Sequence, residues 1–240
     1  MSWTFVGHVH TRHSFDSLTD PTALARHAAA LKIDVLAVTD HDTWRGALDT
    51  REAAARLGLP LMVILASEVA TDQGDVIALF LRRDLRESSA PRLCDAIHED
   101  GGLVLLPHAF KWHRLDEELL KRVDLIEVHN ARTGRADNTR ALELAHRRGL
   151  PELVGPDAHR LGELNLARVE FEGDRPADDE GLKLALKSAP RRFHLGTGSI
   201  WNEWLSQGAK FLRQPSFHDA YWLARGGLRR LAKPGEYVSG

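Results

Sequence analysis

A chain of 240 residues with a formal net charge of −2 is long enough to bury its own core. It carries no basic excess that would demand nucleic acid or an anionic membrane. Its one cysteine, Cys94, excludes an intrachain disulfide and reads as a small packed hydrophobe. No run reaches 18 apolar residues and no basic-then-apolar leader opens the chain, so the expectation is a cytoplasmic protein with no membrane partner.

Strand-like and helix-like segments alternate along the chain. Trp3–Val9 reads as a strand. A helix follows from Pro21 to about Lys32, with Asp20 as its N-cap and proline at the first helical position. The continuous apolar run Asp34–Thr39 has the length of a strand buried on both faces of a parallel sheet. Trp44–Leu57 reads as a helix stopped by Gly58 and Pro60. Leu61–Ala66 and Val76–Leu81 read as strands on either side of Gln73-Gly74, and Arg92–Glu99 as a helix ended by Gly101-Gly102. Leu103–Leu106 and Asp124–Val128 are strands, Ala136–Arg148 is a helix closed by Gly149, and Glu152–Val154 and Ala167–Phe171 are the last short strands before a helix over Asp178–Lys187. Such alternation argues for a parallel α/β sheet or barrel.

From about Pro190 the rhythm is lost and aromatics concentrate: Phe193, Trp201, Trp204, Phe211, Phe217, Tyr221 and Trp222. Disordered segments are poor in aromatics. The expectation is two units, a barrel over 1–195 and an aromatic-rich helical tail over 196–240 packed on it. A partner or dimer surface is the alternative for the tail, and oligomeric state stays open.

Chemistry-bearing residues gather at or just past the apolar runs: His8-Val9-His10, Asp16, Thr39-Asp40-His41-Asp42, Glu68, Pro107-His108 and Asp157-Ala158-His159. Parallel α/β folds place functional residues at the carboxyl ends of their strands. Two histidines two apart on an extended chain share a side, which suits a metal. By contrast His27, His98, His146 and Glu143 fall on helices and read as surface residues.

His8-Val9-His10-Thr11, Ser14, Asp16, Thr39-Asp40-His41, Glu68, Pro107-His108, Glu127-Val128-His129-Asn130 and Gly155-Pro156-Asp157-Ala158-His159 together resemble the polymerase and histidinol phosphatase (PHP) superfamily over about residues 5–172. The resemblance implies a distorted (β/α)7 barrel with two to three divalent ions (Mn, Zn or Fe) at its carboxyl end. It implies that His8, His10, Glu68 and Asp157 hold one ion, that Glu68 bridges to a second taken by His108, and that Asp16, His41 and His159 hold the third. Many relatives carry a further histidine where this chain has Gly74-Asp75-Val76-Ile77, so Asp75 is expected to substitute, with His129 as the alternative.

The implied activity is a metal-dependent phosphoric ester hydrolase using a metal-bridging hydroxide, with Glu68 and Asp157 at the reacting centre. The expected partner is a small-molecule phosphate ester, such as histidinol phosphate or a nucleotide, or an oligonucleotide end. Arg132, then Lys111 and Arg160, are the cations expected to meet the phosphate, and water, His129 or Asp42 to protonate the leaving group. A hydrolase cleaving C–N bonds and a non-catalytic metal-stabilised module are the rival readings.

Overall fold

The computed structural model describes residues 1–196. Nine strands form one sheet, with helices between them. In chain order they are β1 (Ser2–Val6), α1 (Pro21–Ala30), β2 (Val35–Val38), α2 (Arg45–Arg56), β3 (Met62–Thr71), β4 (Gly74–Leu79), α3 (Ala90–Glu99), β5 (Leu103–Leu106), α4 (Glu117–Leu120), β6 (Leu125–Asn130), α5 (Arg135–Arg148), β7 (Glu152–Gly155), a 3-10 turn (Leu161–Glu163), β8 (Ala167–Glu172), α6 (Asp179–Ser188) and β9 (Arg191–Leu195). The order across the sheet is β7-β6-β5-β4-β3-β2-β1-β8-β9.

The sheet curls until its two ends nearly meet. The residues after β7 rejoin the end of β1 through a bridge between Val9 and Ala158. Two hydrogen bonds make it: His10 N donates to Ala158 O at 2.8 Å, and Ala158 N to His8 O at 3.1 Å. The expected distorted barrel is therefore present, and its distortion has a local cause. β3 and β4 are joined by Asp72-Gln73 alone, too short for a crossover, so β4 runs antiparallel to β3 and β5. β8 is likewise antiparallel to β1.

The apolar runs become fully buried strands: every residue of β2 and β5 is inside. Phe5, Leu36, Ile77, Leu106, Leu125 and Phe171 are among the largest buried side chains. Each stabilises by roughly 1.5–3 kcal/mol on burial. Trp3 stacks on Phe171 across the β1–β8 pair, ring centroids 4.4 Å apart. Asp20 caps α1 by accepting from Ala23 N at 3.0 Å, and Gly149 closes α5 at φ 63°, a left-handed C-cap. Cys94 is buried in α3, and burial pushes its thiol up to about 12.

Several boundaries shift by a residue or two from the sequence reading, the short α4 has no counterpart in it, and three differences matter below. β1 stops at Val6, because His8 takes φ 65°, and β3 runs on to Thr71, so Glu68 lies inside a strand rather than beyond one. β9 occupies the start of the stretch read as a tail, pairing with β8 from Ala167–Leu195 to Phe171–Arg191. The predicted helices over about 200–231 lie outside the described residues. No helix among the described residues is long and apolar enough to cross a membrane.

Candidate metal centre

Glu68 is the hub. It is 1% exposed, and four imidazoles surround its carboxylate. Its Oε1 lies 3.0 Å from His108 Nε2 and 3.5 Å from His8 Nε2. Its Oε2 lies 3.4 Å from His10 Nε2 and 3.3 Å from His41 Nδ1. Asp157 faces it from the other side of the seam, its Oδ1 3.5 Å from His8 Nε2 and 3.4 Å from His10 Nε2. Beyond His10, Asp16 Oδ2 sits 2.8 Å from His159 Nε2 and 3.4 Å from His41 Nε2.

All nine residues expected to ligate metals are thus brought together. Their donor atoms form four overlapping groups, each with its atoms within 4.8 Å of one another: His10, Asp16, His41 and His159; His8, His108 and Asp157; His8, His10 and Glu68; and Glu68, Asp75 and His108. Asp75 reaches the cluster because β4 pairs with β3, opposite Ala70 and beside Glu68.

His129 does not join it. A register shift in β6 leaves Glu127 opposite Leu153 and His129 opposite Val154, neighbours that face opposite sides of β7. His129 Nε2 donates instead to Gly196 O at 2.8 Å, and its Nδ1 accepts from Asn138 Nδ2 at 3.3 Å. Asp42 is exposed and its Oδ1 accepts from Ala70 N. His98 pairs with Asp124 and His146 with Glu152, away from the cluster.

A second layer holds the imidazoles in place, and sequence reading had given its members no role. His8 Nδ1 donates to Glu127 Oε1 at 2.9 Å, which fixes the tautomer and turns the bare Nε2 toward Glu68 and Asp157. Glu127 Oε2 accepts from His108 N and from Asn130 Nδ2, both at 2.9 Å. A side chain at Gly155 would collide with Glu127 Oε1, so glycine is what lets that carboxylate lie against His8. His159 Nδ1 donates to Asp157 O at 2.9 Å, and His159 N donates to Glu163 Oε2 at 2.8 Å. The hydroxyls of Ser17 and Thr19 each donate to His159 O at 3.0 Å. The signal for Glu127 was present in the sequence: an acid inside the apolar run Leu125-Ile126-Glu127-Val128 must find a buried partner.

The electrostatics follow from burial and crowding. Burial would lower His8, but Glu127, Asp157 and Glu68 outweigh it and hold the imidazole well above its ordinary value. His10 goes the other way, to about 4, through burial and the repulsion of His159. His41 rises to about 10, since Glu68 and Asp16 outweigh its burial. Burial opposes ionisation of Glu68, Asp157 and Asp16, yet the histidines beside them hold all three well below the carboxylate range.

The donor set fits divalent ions. His8 Nε2, His10 Nε2, His108 Nδ1 and Asp16 Oδ1 are buried with no hydrogen-bond partner among the described residues. Orphaned buried donors and acceptors cost about 1–3 kcal/mol each. Several such atoms among clustered imidazoles and carboxylates are the donor set that a divalent-metal site presents.

The cations expected at the phosphate are placed unequally. Arg132 is largely buried, its Nη1 3.6 Å from Glu163 Oε1, and it lowers Asp157. Lys111 lies over the Trp112 ring with Nζ 5.1 Å from the centroid, and Arg160 is exposed.

Comparison with known families decides what this arrangement is. The PHP domain profile matches residues 7–188. The chain belongs to the PHP domain family. An uncharacterized protein of Methanocaldococcus jannaschii is 32% identical over 114 residues, 43% of this chain and 66% of that protein, just under two thirds of its length. The 5'-3' exoribonuclease Rnm of Escherichia coli is 41% identical over 64 residues, 27% of this PHP chain and 22% of the exoribonuclease. Among solved structures, a two-domain protein of Bacteroides vulgatus containing a predicted PHP-like metal-dependent phosphoesterase superposes with a TM-score of 0.66. It is 18% identical, covering 89% of this chain and 70% of that one, a likeness of fold.

Asp75 gives a prediction about how this PHP site is assembled. Burial and the charge of Glu68 push its carboxyl up to about 6 from an ordinary 3.8. A raised carboxyl binds its proton more tightly in the folded state, so the metal-free protein loses stability as pH rises from about 4 through about 6. Asp75→Asn is therefore expected to raise the melting temperature of chelator-stripped protein at pH 7.5 but not at pH 4, and to lower its retained metal. Thermal melts at both pH values, paired with elemental analysis, check both signs.

Proposed function

We propose that this PHP protein hydrolyses a small phosphate ester, a nucleotide or the phosphate end of an oligonucleotide, with two to three divalent ions at the Glu68 cluster. The observation that carries the reading is the set of unpartnered imidazole nitrogens converging on the Glu68 and Asp157 carboxylates. In this reading His8, His10, Glu68 and Asp157 would hold one ion, and Glu68, His108 and Asp75 would hold a second. His10, Asp16, His41 and His159 surround the third position. Ions held there would lower the pKa of bound water and neutralise charge on the phosphate oxygens.

The chain's own residues do the positioning. In the neutral ring Glu127 holds the His8 proton on Nδ1, which leaves Nε2 as the nitrogen that would ligate. Ser17, Thr19 and Glu163 lock the backbone of His159, and so its ring. Arg132, with Nη1 short of any hydrogen-bond partner among the described residues, is the cation best placed to donate to a phosphate oxygen. His129, turned to Gly196, is not a source of the leaving-group proton. The exoribonuclease relative supports a nucleotide end as substrate.

The test is a phosphate-release screen over nucleoside 5'-monophosphates, histidinol phosphate and 5'-phosphorylated oligonucleotides, with added Mn, Zn or Fe(II). The expected result is metal-dependent release that chelator abolishes. Failure of every phosphate ester, alongside turnover of amide substrates, would move the protein to the C–N hydrolases. Failure of both with full metal loading would make it a metal-stabilised module.

A further inference from the structure

The loop after His108 presents a tryptophan to solvent. Trp112 is 85% exposed and holds φ 64°, a left-handed backbone that bulky residues rarely take. Such strain persists only where the surroundings dictate it, and it concentrates at ligand clamps.

Here the surroundings do dictate it, and they tie the loop to the metal cluster. Lys111 N donates to His108 O at 2.8 Å. His113 lies against His108, ring centroids 5.4 Å apart, and its nitrogens sit 2.8 Å from Asp75 O and 3.0 Å from Lys111 O. Arg114 N donates to Gln73 O at 2.9 Å, and Gln73 Nε2 to Asp116 Oδ2 at 3.0 Å, so the loop is pinned to the tip of the β3–β4 hairpin. At that tip Gly74 has φ 111°, and a side chain there would strike the His113 ring. Trp112 is therefore an exposed indole on a pinned backbone, one residue from the ring that rests on His108. Its immediate neighbours are cations, Lys111 over its ring and the exposed Arg114.

We infer that Trp112 is a stacking platform for the base of a nucleotide whose phosphate enters the Glu68 cluster, so that the substrate class is nucleobase-bearing phosphate esters. The inference rests on the phosphoesterase reading and deepens it. A flat aromatic face recognises any base, because every base has a π-face, and its loss weakens binding substantially without touching the phosphate. Lys111 and Arg114 supply the positive surface that a nucleotide or strand end needs beside its base. An exposed indole serving protein docking would show no such dependence on a base.

The test uses the metal-loaded full chain with two probes, adenosine 5'-monophosphate and ribose 5-phosphate, measured by calorimetric binding and by phosphate release. Wild type is expected to bind the nucleotide more tightly than the sugar phosphate. Trp112→Ala is expected to weaken the nucleotide by about 5- to 100-fold, the range for losing one base–aromatic stack, and to leave ribose 5-phosphate unchanged. Trp112→Phe should keep most of the preference. Equal affinity of wild type for both probes, no binding of either, or an equal loss on both in Trp112→Ala would overturn the inference. The two readings fail separately. Base-dependent binding lost in Trp112→Ala, with no phosphate released from any probe, keeps the platform and removes the phosphoesterase. Rapid release from both probes, indifferent to Trp112, does the reverse.

Discussion

Glu68→Gln is expected to cost the protein at least one bound ion per chain and about a thousandfold in phosphate release. The variant keeps the volume and removes one negative charge from among four imidazoles and the ions between them. Two unit charges 4 Å apart interact by about 4 kcal/mol at an effective dielectric of 20, and each 1.4 kcal/mol is a factor of ten. The glutamine amide also turns a donor toward nitrogens that need to stay bare for ligation. Elemental analysis and phosphate release on the same preparation measure both effects. Wild-type metal content together with wild-type rate would remove Glu68 from the centre of the site.

Asp40→Ala is expected to destabilise the fold by about 3–5 kcal/mol, a fall of roughly 6–20 °C in melting temperature for a domain of this size. Asp40 is fully buried, and the loop that leads from His10 to Asp16 is wrapped around it. Its Oδ1 accepts from Thr11 N at 2.6 Å, Ser14 N at 3.2 Å and Ser14 Oγ at 2.6 Å, and its Oδ2 accepts from Thr11 Oγ1 at 2.7 Å. Ser14 Oγ in turn lies 3.1 Å from His10 Nδ1 and 3.0 Å from His41 N. Alanine would remove four hydrogen bonds at once, and would loosen the loop that carries Asp16 to His159. Calorimetric melts with and without metal check it: the loss should persist in chelator, because the network needs no ion. Unchanged melting in chelator would show that the loop is held by something else.

The contrast between these two residues shows what was legible in the sequence. Glu68 could be found because the rule for parallel sheets is positional: apolar runs end where chemistry begins, and the chain announces each end with a histidine or an acid. That rule gathered eight of the nine candidate ligands without knowledge of strand order, and the family resemblance supplied Asp75. Asp40 stood in the same motif as His41, yet its work is to satisfy amides 26 and 29 residues earlier, and no local pattern encodes such pairings. Glu127 is similar, since its partner His8 lies 119 residues away.

Side-chain direction was harder still. His8 and His10 were expected to share a side because strands alternate, but the strand ends at Val6 and His8 is in the left-handed region. The rings converge by a turn of backbone that periodicity cannot show. His129, the alternative to Asp75, stays outside the cluster for the complementary reason, since a register shift in β6 changes the side it faces. The antiparallel course of β4 was readable in principle from the two-residue link at Asp72-Gln73, which no crossover could span. β9, with its sequence Arg191-Arg192-Phe193-His194-Leu195, is a charged edge strand, and edge strands lack the apolar run that marks central ones.

The seam at Val9 and Ala158 gives the cluster a second meaning. Two backbone hydrogen bonds fasten this meeting of near-opposite ends of the barrel sequence, beside the side-chain bonds of His8 to Glu127 and of Ser17 and Thr19 to His159, and the long intervening chain makes such closure costly in entropy. His8 and His10 flank it on one side, Asp157 and His159 on the other. An ion gripped by both sides therefore acts as a clasp on a cuff, and its affinity for the ligands adds directly to the free energy that keeps the ring shut. Without such an ion, the ring would be fastened at this seam by hydrogen bonds and packing alone, at the same place where the candidate ligands converge.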